Sequence, residues 1–218
     1  MLESPRSPKD RLDACRLCLD AGYSVVSPPI FSGPDSASLM IVGQAPGRVE
    51  TMQTRLPFSG PSGKRLFQWL AQAGWQEQDF RATSYMTAVT KCYPGPHANG
   101  RGDRVPIRAE QHLCRPWLEQ ELALVQPAVV LPVGRLAITR FIGGKVTLAT
   151  TVGRTIERPA DDPALTEWAR NHLPAETCLV PLPHPSGASQ WVNQPSNKEL
   201  LQHAIKELSR LRGKIRNS

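Results

Sequence analysis

The sequence predicts one α/β domain, a three-layer α/β/α sandwich around a mainly parallel, four-stranded central sheet. Three observations carry that reading. Four short apolar runs recur along the chain, segments of helical pattern separate them, and glycine- and proline-rich loops follow them. A chain of 218 residues with 40% hydrophobic content can bury one good core and is short for two ordinary domains. The domain is expected to span residues 1–218, with 1–10 and 213–218 as flexible tails.

The first run, Leu39-Met40-Ile41-Val42, reads as a buried strand that empties into the turn Gly43-Gln44-Ala45-Pro46-Gly47. That turn lies at the C-terminal edge of the strand, where an open α/β sheet binds its ligand. Upstream, the first nine residues are polar and proline-bearing. Cys15-Arg16-Leu17-Cys18 forms a C-x-x-C, compatible with a metal half-site or a redox pair. Residues 27–38, rich in Pro, Ser and Gly, form the loop into the first strand.

Residues 48–56 are polar without a clear period, and Pro57-Phe58-Ser59-Gly60-Pro61-Ser62-Gly63 is a second glycine-rich loop. The helix expected over 64–73 places Leu66, Trp69, Leu70 and Ala73 on one face, as core. Phe58, an aromatic between turn formers, suits a loop tip better than the core. The second strand is expected over 85–90, running into Lys91-Cys92. The basic loop after it, with Arg101 and Arg104, is an exposed connection or a phosphate contact.

A helix over 108–125 carries Cys114, and Pro116 is expected to kink or divide it. The third strand covers 128–131, Gly134 opens a short helix to Phe141, 147–157 has the look of a hairpin or irregular strand pair, and 161–171 is a weak helix or insertion. The fourth strand, 177–182, holds Cys178 as an inert buried thiol and delivers Pro183-His184-Pro185-Ser186 to the sheet edge. The last helix, 197–212, presents Leu200, Leu201, Ala204, Ile205, Leu208 and Leu211 to the sheet. In a parallel sheet these strand ends converge on one crevice, which draws His184 towards the first loop.

A net charge of +7 and a pI near 9.5 favour a polyanionic partner, with a solvated basic face as the alternative. No run approaches the length of a membrane span and no apolar leader is visible, so a cytoplasmic protein is expected, nucleoid-associated if bacterial. Five cysteines without a leader argue for reduced thiols or metal ligands rather than a disulfide framework.

Taken together, GQAPG, PFSG, a strand ending in KC, a later helical Cys and HPS resemble the uracil-DNA glycosylase superfamily, most closely its family 4 iron–sulfur members. The ordered set runs from about Cys15 to the last helix. The resemblance implies a monofunctional DNA glycosylase of base excision repair that flips a uracil or another deaminated base out of DNA and hydrolyses its N-glycosidic bond. Gly43, Gln44, Ala45 and Gly47 would line the base pocket, with Glu50 the nearest carboxylate. Phe58 would stack on the base, and His184 would donate a hydrogen bond to the base oxygen where charge accumulates.

Pro185 and Ser186 would grip backbone phosphate, and Trp191 is either the intercalating wedge or a core residue. Cys15, Cys18, Cys92 and Cys114 would hold a [4Fe-4S] cluster, zinc being the alternative for the same four sulfurs. DNA is the implied partner, with no obligate protein partner and a monomer expected. Four departures stand out. Gln44 replaces the family's Glu, and Ala45 offers no carboxylate or amide. Ala88 stands where the family places an Asn that reads the uracil edge. Gly47, in place of a bulky aromatic, suggests room for a larger base. The alternative these departures allow is a catalytically weak iron–sulfur protein that binds damaged or single-stranded DNA.

Overall fold

In the computed structural model, which describes residues 7–100, 102–157, 162–186 and 191–215, the first apolar run forms β1 (Leu39–Gly43), buried along its whole length. Parallel partners flank it on both edges. β2 (Ser84–Ala88) pairs Leu39 with Ser84 through to Gly43 with Ala88, and β3 (Val129–Pro132) pairs Leu39 with Val129 through to Val42 with Pro132. A strand covered on both faces has no need of polar alternation, which is why the run reads as continuously apolar. Its side chains still alternate between faces. Leu39 and Ile41 join the core beneath α3 (Pro61–Gln72), α4 (Glu77–Thr83) and α9 (Pro195–Ile215). Met40 and Val42 join a second core beneath α5 (Arg108–Val125), α6 (Arg135–Phe141) and α8 (Glu167–His172). Helices therefore cover both faces of the sheet.

The sheet has five strands in the order β2-β1-β3-β5-β4 rather than the four expected. The addition is β4 (Ile156–Glu157), antiparallel to β5 (Cys178–Leu179). Two residues are too few to show a period of two. The stretch expected as a hairpin instead begins with α7 (Leu148–Thr151), capped by the Thr147 side chain on the Thr150 amide. The expected strand over 177–182 keeps a regular ladder only at Cys178–Leu179, with one further parallel bridge from Leu182 to Val133. Pro181 and Pro183 have no amide hydrogen to offer a ladder.

Helix bounds depart from expectation in small ways. α3 starts at Pro61, whose missing amide is harmless in a first turn. α4 had no counterpart in the sequence pattern; it is held by Phe80, which meets Phe67 and Trp75 edge to face. α5 runs unbroken through Pro116, where a kink or division was expected. Its buried face of Cys114, Leu118, Glu121, Leu122 and Val125 holds it against the sheet. The short α1 (Pro8–Asp13) begins inside the stretch expected as a tail, capped by Ser7, and α2 (Leu17–Asp20) follows it. No helix among the described residues is long and apolar enough to cross a membrane.

Candidate active site

Four chain segments meet where the parallel strands end. Beyond β1 and β3 the pairing continues as single bonds, from the Val133 amide to the Val42 carbonyl (2.8 Å) and from the Gly134 amide to the Leu182 carbonyl (2.9 Å). This brings Gly43, Ala88, Val133 and His184 to one edge, around a cleft of about 420 Å³. Gln44, Ala45, Gly47, Phe58, Pro185, Ser186 and Arg104 also line it. Arg101 lies outside the described residues.

His184 is the best-defined group in the cleft. Its Nδ1 accepts a hydrogen bond from the Ser186 amide at 3.2 Å. A nitrogen that accepts carries no proton, so the neutral ring bears its hydrogen on Nε2 and offers one N–H donor. Burial lowers the ring's pKa below the ordinary imidazole value, which favours that neutral form. Gly134, at φ +83°, makes room for the ring: a Cβ there would lie 3.0 Å from His184 Cδ2. The Ser186 carbonyl accepts from Arg65 of α3 at 3.1 Å, which fixes the short loop carrying both partners.

Phe58 is half-buried on the opposite wall rather than at a free loop tip. Its ring sits so close to Gly43 that a Cβ there would meet Phe58 Cζ at 2.9 Å. Its backbone is left-handed, φ +52°, a conformation that costs an aromatic residue about 1–3 kcal/mol and persists only where its surroundings impose it. Two neighbours impose it here. Gly63 passes directly against the Phe58 carbonyl, leaving no space for a side chain. Arg81 of α4 donates to the Pro57 carbonyl at 2.8 Å and to the Phe58 carbonyl at 3.0 Å, stacks over Phe67 and is held by Glu77 at 2.9 Å. Arg81 is a positioning residue that the sequence did not disclose, because nothing local marks an arginine that reaches back 23 residues.

The first loop is more acidic in its surroundings than its own residues suggest. Glu50 heads a π-helical turn, Glu50–Thr54, and is buried, with Oε1 accepting from the Gly60 amide at 3.1 Å. Glu50, the carboxylate nearest the first loop, thus lines the cleft. A Cβ on Gly47 would lie 2.8 Å from Glu50 Oε2 and 3.1 Å from Asp103 Oδ2. The room expected beside Gly47 is thus taken up by two carboxylates. Asp103 also accepts from the Tyr93 hydroxyl at 2.8 Å. Burial and that carboxylate push the Tyr93 pKa up to about 12, so Tyr93 remains a donor.

Arg104 lies on the cleft wall with its guanidinium in a two-pronged ion pair to Glu110, at 2.8 and 2.5 Å. Trp191 opens a short 3-10 turn, Trp191–Asn193, and is half-buried against the core beneath α9.

Behind Ala88, the polar groups are fully committed. Lys91 is 1% exposed and donates from Nζ to the Ala88 carbonyl at 2.5 Å and to Glu121 of α5 at 2.7 Å. Glu121, 4% exposed, also accepts from Thr87 Oγ1 at 2.9 Å and Tyr85 Oη at 3.2 Å. A lysine between a strand end and a cysteine was the only signal of this pair in the sequence.

The same lysine's amide donates to Cys114 Sγ at 3.3 Å. Cys15, Cys18, Cys92 and Cys114 line a second, small cleft on this side, and the Trp117 indole donates to Cys15 Sγ at 3.1 Å. Burial, then Cys114, Cys18 and Cys15, push the Cys92 thiol up to about 12. Cys92 thus lies near enough to the other three sulfurs for their charge to oppose its ionisation, which a bound cation would reverse. Thr90 Oγ1, on the same cleft, is buried without a partner among the described residues. No group of three or more His, Cys, Asp or Glu among the described residues is drawn together tightly enough to hold a single metal ion. The four cysteines, two of them receiving N–H···S bonds, are an all-sulfur donor set of the kind that iron–sulfur or zinc centres use. Cys178 is buried in β5, in the core beneath α3 and α9.

Residues 30–209 match the model of the uracil DNA glycosylase superfamily. The chain belongs to the uracil-DNA glycosylase superfamily. It is similar to the type-4 uracil-DNA glycosylase of Archaeoglobus fulgidus, 28% identical over 84% of this chain and 80% of that protein. It is similar also to that of Sulfurisphaera tokodaii, 24% identical over 96% of this chain and 86% of the relative. The type-4 enzyme of Thermotoga maritima is 30% identical over 64% of this chain and 65% of its own. Membership in this DNA glycosylase superfamily implies DNA as the substrate.

Proposed function

We propose that this protein is a monofunctional DNA glycosylase that excises uracil or another deaminated base, with His184 as the residue that stabilises the departing base. The observation that carries the reading is the locked tautomer of His184 in the cleft that also holds Phe58. As the glycosidic bond breaks, negative charge grows on the base oxygen. A preorganised neutral Nε2–H stabilises that charge without rearrangement. Phe58 supplies the stacking face, worth about 1–3 kcal/mol per base. Gln44, neutral, orients water or base by hydrogen bonding. Pro185 and Ser186 stand beside His184 for the flanking phosphate.

Uracil is not the only base that suits the cleft. Ala88 brings no side-chain donor or acceptor, and its carbonyl already accepts from Lys91. Discrimination by paired hydrogen bonds is what gives such sites strict selectivity. Its absence at Ala88 favours tolerance of several deaminated bases. Ala45 and Ala88 are also the observations that favour the second reading, a DNA-binding protein with little turnover. Incubation with duplexes carrying uracil, hypoxanthine, xanthine or a thymine mismatch, followed by alkali, separates the two. Strand breaks at the damaged position are expected. Intact strands on every substrate, with binding retained, would contradict the enzyme reading.

We propose in addition that Cys15, Cys18, Cys92 and Cys114 hold a [4Fe-4S] cluster. When bound, the cluster would take the four cysteines as thiolate ligands and tie the N-terminal segment to the end of β2 and to α5. Catalysis draws no redox step from it. Anaerobically purified protein is expected to contain about four iron and four sulfide per chain with broad visible absorption. Stoichiometric zinc without iron would decide for the alternative.

A further inference from the structure

A base cannot leave the stack unless something supports the gap, and apolar side chains inserted between base steps are the common means. Trp191 is packed on the core, and the four residues before it in sequence, Gly187, Ala188, Ser189 and Gln190, include no large apolar side chain. Met52 and Leu56, 57% and 47% exposed, are two of the few large apolar side chains left open among the described residues. Both lie on the segment that brings Glu50 and Phe58 to the cleft wall.

That segment is held in place. The Arg55 amide closes the π-helical turn on the Glu50 carbonyl at 2.8 Å, and its guanidinium donates to the Pro28 and Pro29 carbonyls at 3.0 Å each. Thr54 and Ser59 hydroxyls bond at 2.5 Å, and Ser59 Oγ donates to the Leu56 carbonyl at 2.8 Å. Exposing two large apolar side chains on an ordered loop gains nothing for folding, whereas preorganisation lowers the ordering cost of binding. Exposed Arg48 on the same cleft adds positive charge towards a phosphate backbone.

Resting on the excision reading above, we propose that Met52 and Leu56 form the wedge that enters the duplex beside the extruded nucleotide. Leu56 stands two residues from Phe58, so gap filling and base stacking come from one loop. A wedge matters only where there is a stacked duplex to support. The test compares wild type with the Met52→Ser/Leu56→Ser variant on oligonucleotides carrying a tetrahydrofuran abasic analogue, double- and single-stranded. Both positions are exposed, so thermal unfolding should be unchanged.

The variant is expected to lose about tenfold or more in affinity for the abasic duplex while binding the single strand nearly as wild type does. A 2-aminopurine next to the analogue should brighten with wild type and not with the variant. A variant that keeps its duplex preference and the fluorescence rise, or loses affinity equally for both strand forms, overturns the wedge alone. A wild type that fails to distinguish abasic from undamaged duplex overturns the excision reading, and the wedge with it.

Discussion

Replacing His184 with Ala is expected to lower the single-turnover rate of base excision by about 10² to 10³, the usual effect of removing one preorganised donor to a developing oxyanion. Binding of an abasic duplex should change far less, because the donor acts mainly when charge has moved onto the base. The pH dependence follows from the ring's surroundings. Burial holds the His184 pKa below its ordinary value, and Nδ1 faces the Ser186 amide, so protonation would set two donors against each other. The rate should therefore stay level through neutral pH and change only below the ordinary histidine range.

The same shift has a sign for stability. As pH falls below the unfolded-state value, the unfolded chain takes up a proton that the folded chain resists, so this group's contribution is full above that point and is lost on acidification. An excision rate unaffected by the substitution would remove His184 from the mechanism.

Lys91→Met is the substitution expected to cost most in stability, about 3–5 kcal/mol, because it strands the Glu121 carboxylate in the core without its cation. Urea unfolding should show a lower midpoint at nearly constant slope. The pair also holds the wall of the base cleft: Nζ bonds the Ala88 carbonyl, and Glu121 bonds the side chains of Thr87 and Tyr85 on the same strand. Pairing Lys91→Met with Glu121→Leu should recover much of the loss, since exchanging both ions for apolar groups removes the uncompensated charge. A single substitution costing under about 1 kcal/mol would mean that the carboxylate finds another partner.

The difference between what could and could not be read in advance follows from distance along the chain. β1 and its turn were legible because a doubly covered strand is apolar residue by residue and the turn that ends it needs Gly and Pro. His184 was legible because the parallel strands carry their C-terminal ends to one edge. Phe58 lines the cleft, yet its strained backbone and its clamp by Arg81 were not readable, since the two contacts join an arginine to carbonyls 23 and 24 residues away. The Lys91–Glu121 pair spans 30 positions and leaves only a lysine in an apolar setting as its trace. β4 was missed for lack of length, and nothing local showed that the Glu50 carboxylate turns inward to Gly60. The four cysteines were grouped by the resemblance and line one cleft, while the hydrogen bonds to their sulfurs come from Lys91 and Trp117, whose roles depend on the fold.

The central claim is that this cleft releases a base from DNA, and the most direct test is to look for that base. Wild-type protein in excess over duplexes containing uracil or hypoxanthine should yield the free base in the small-molecule fraction, identified by mass spectrometry, and an intact strand bearing an abasic site. Bound duplex with no free base from any deaminated substrate would contradict the account.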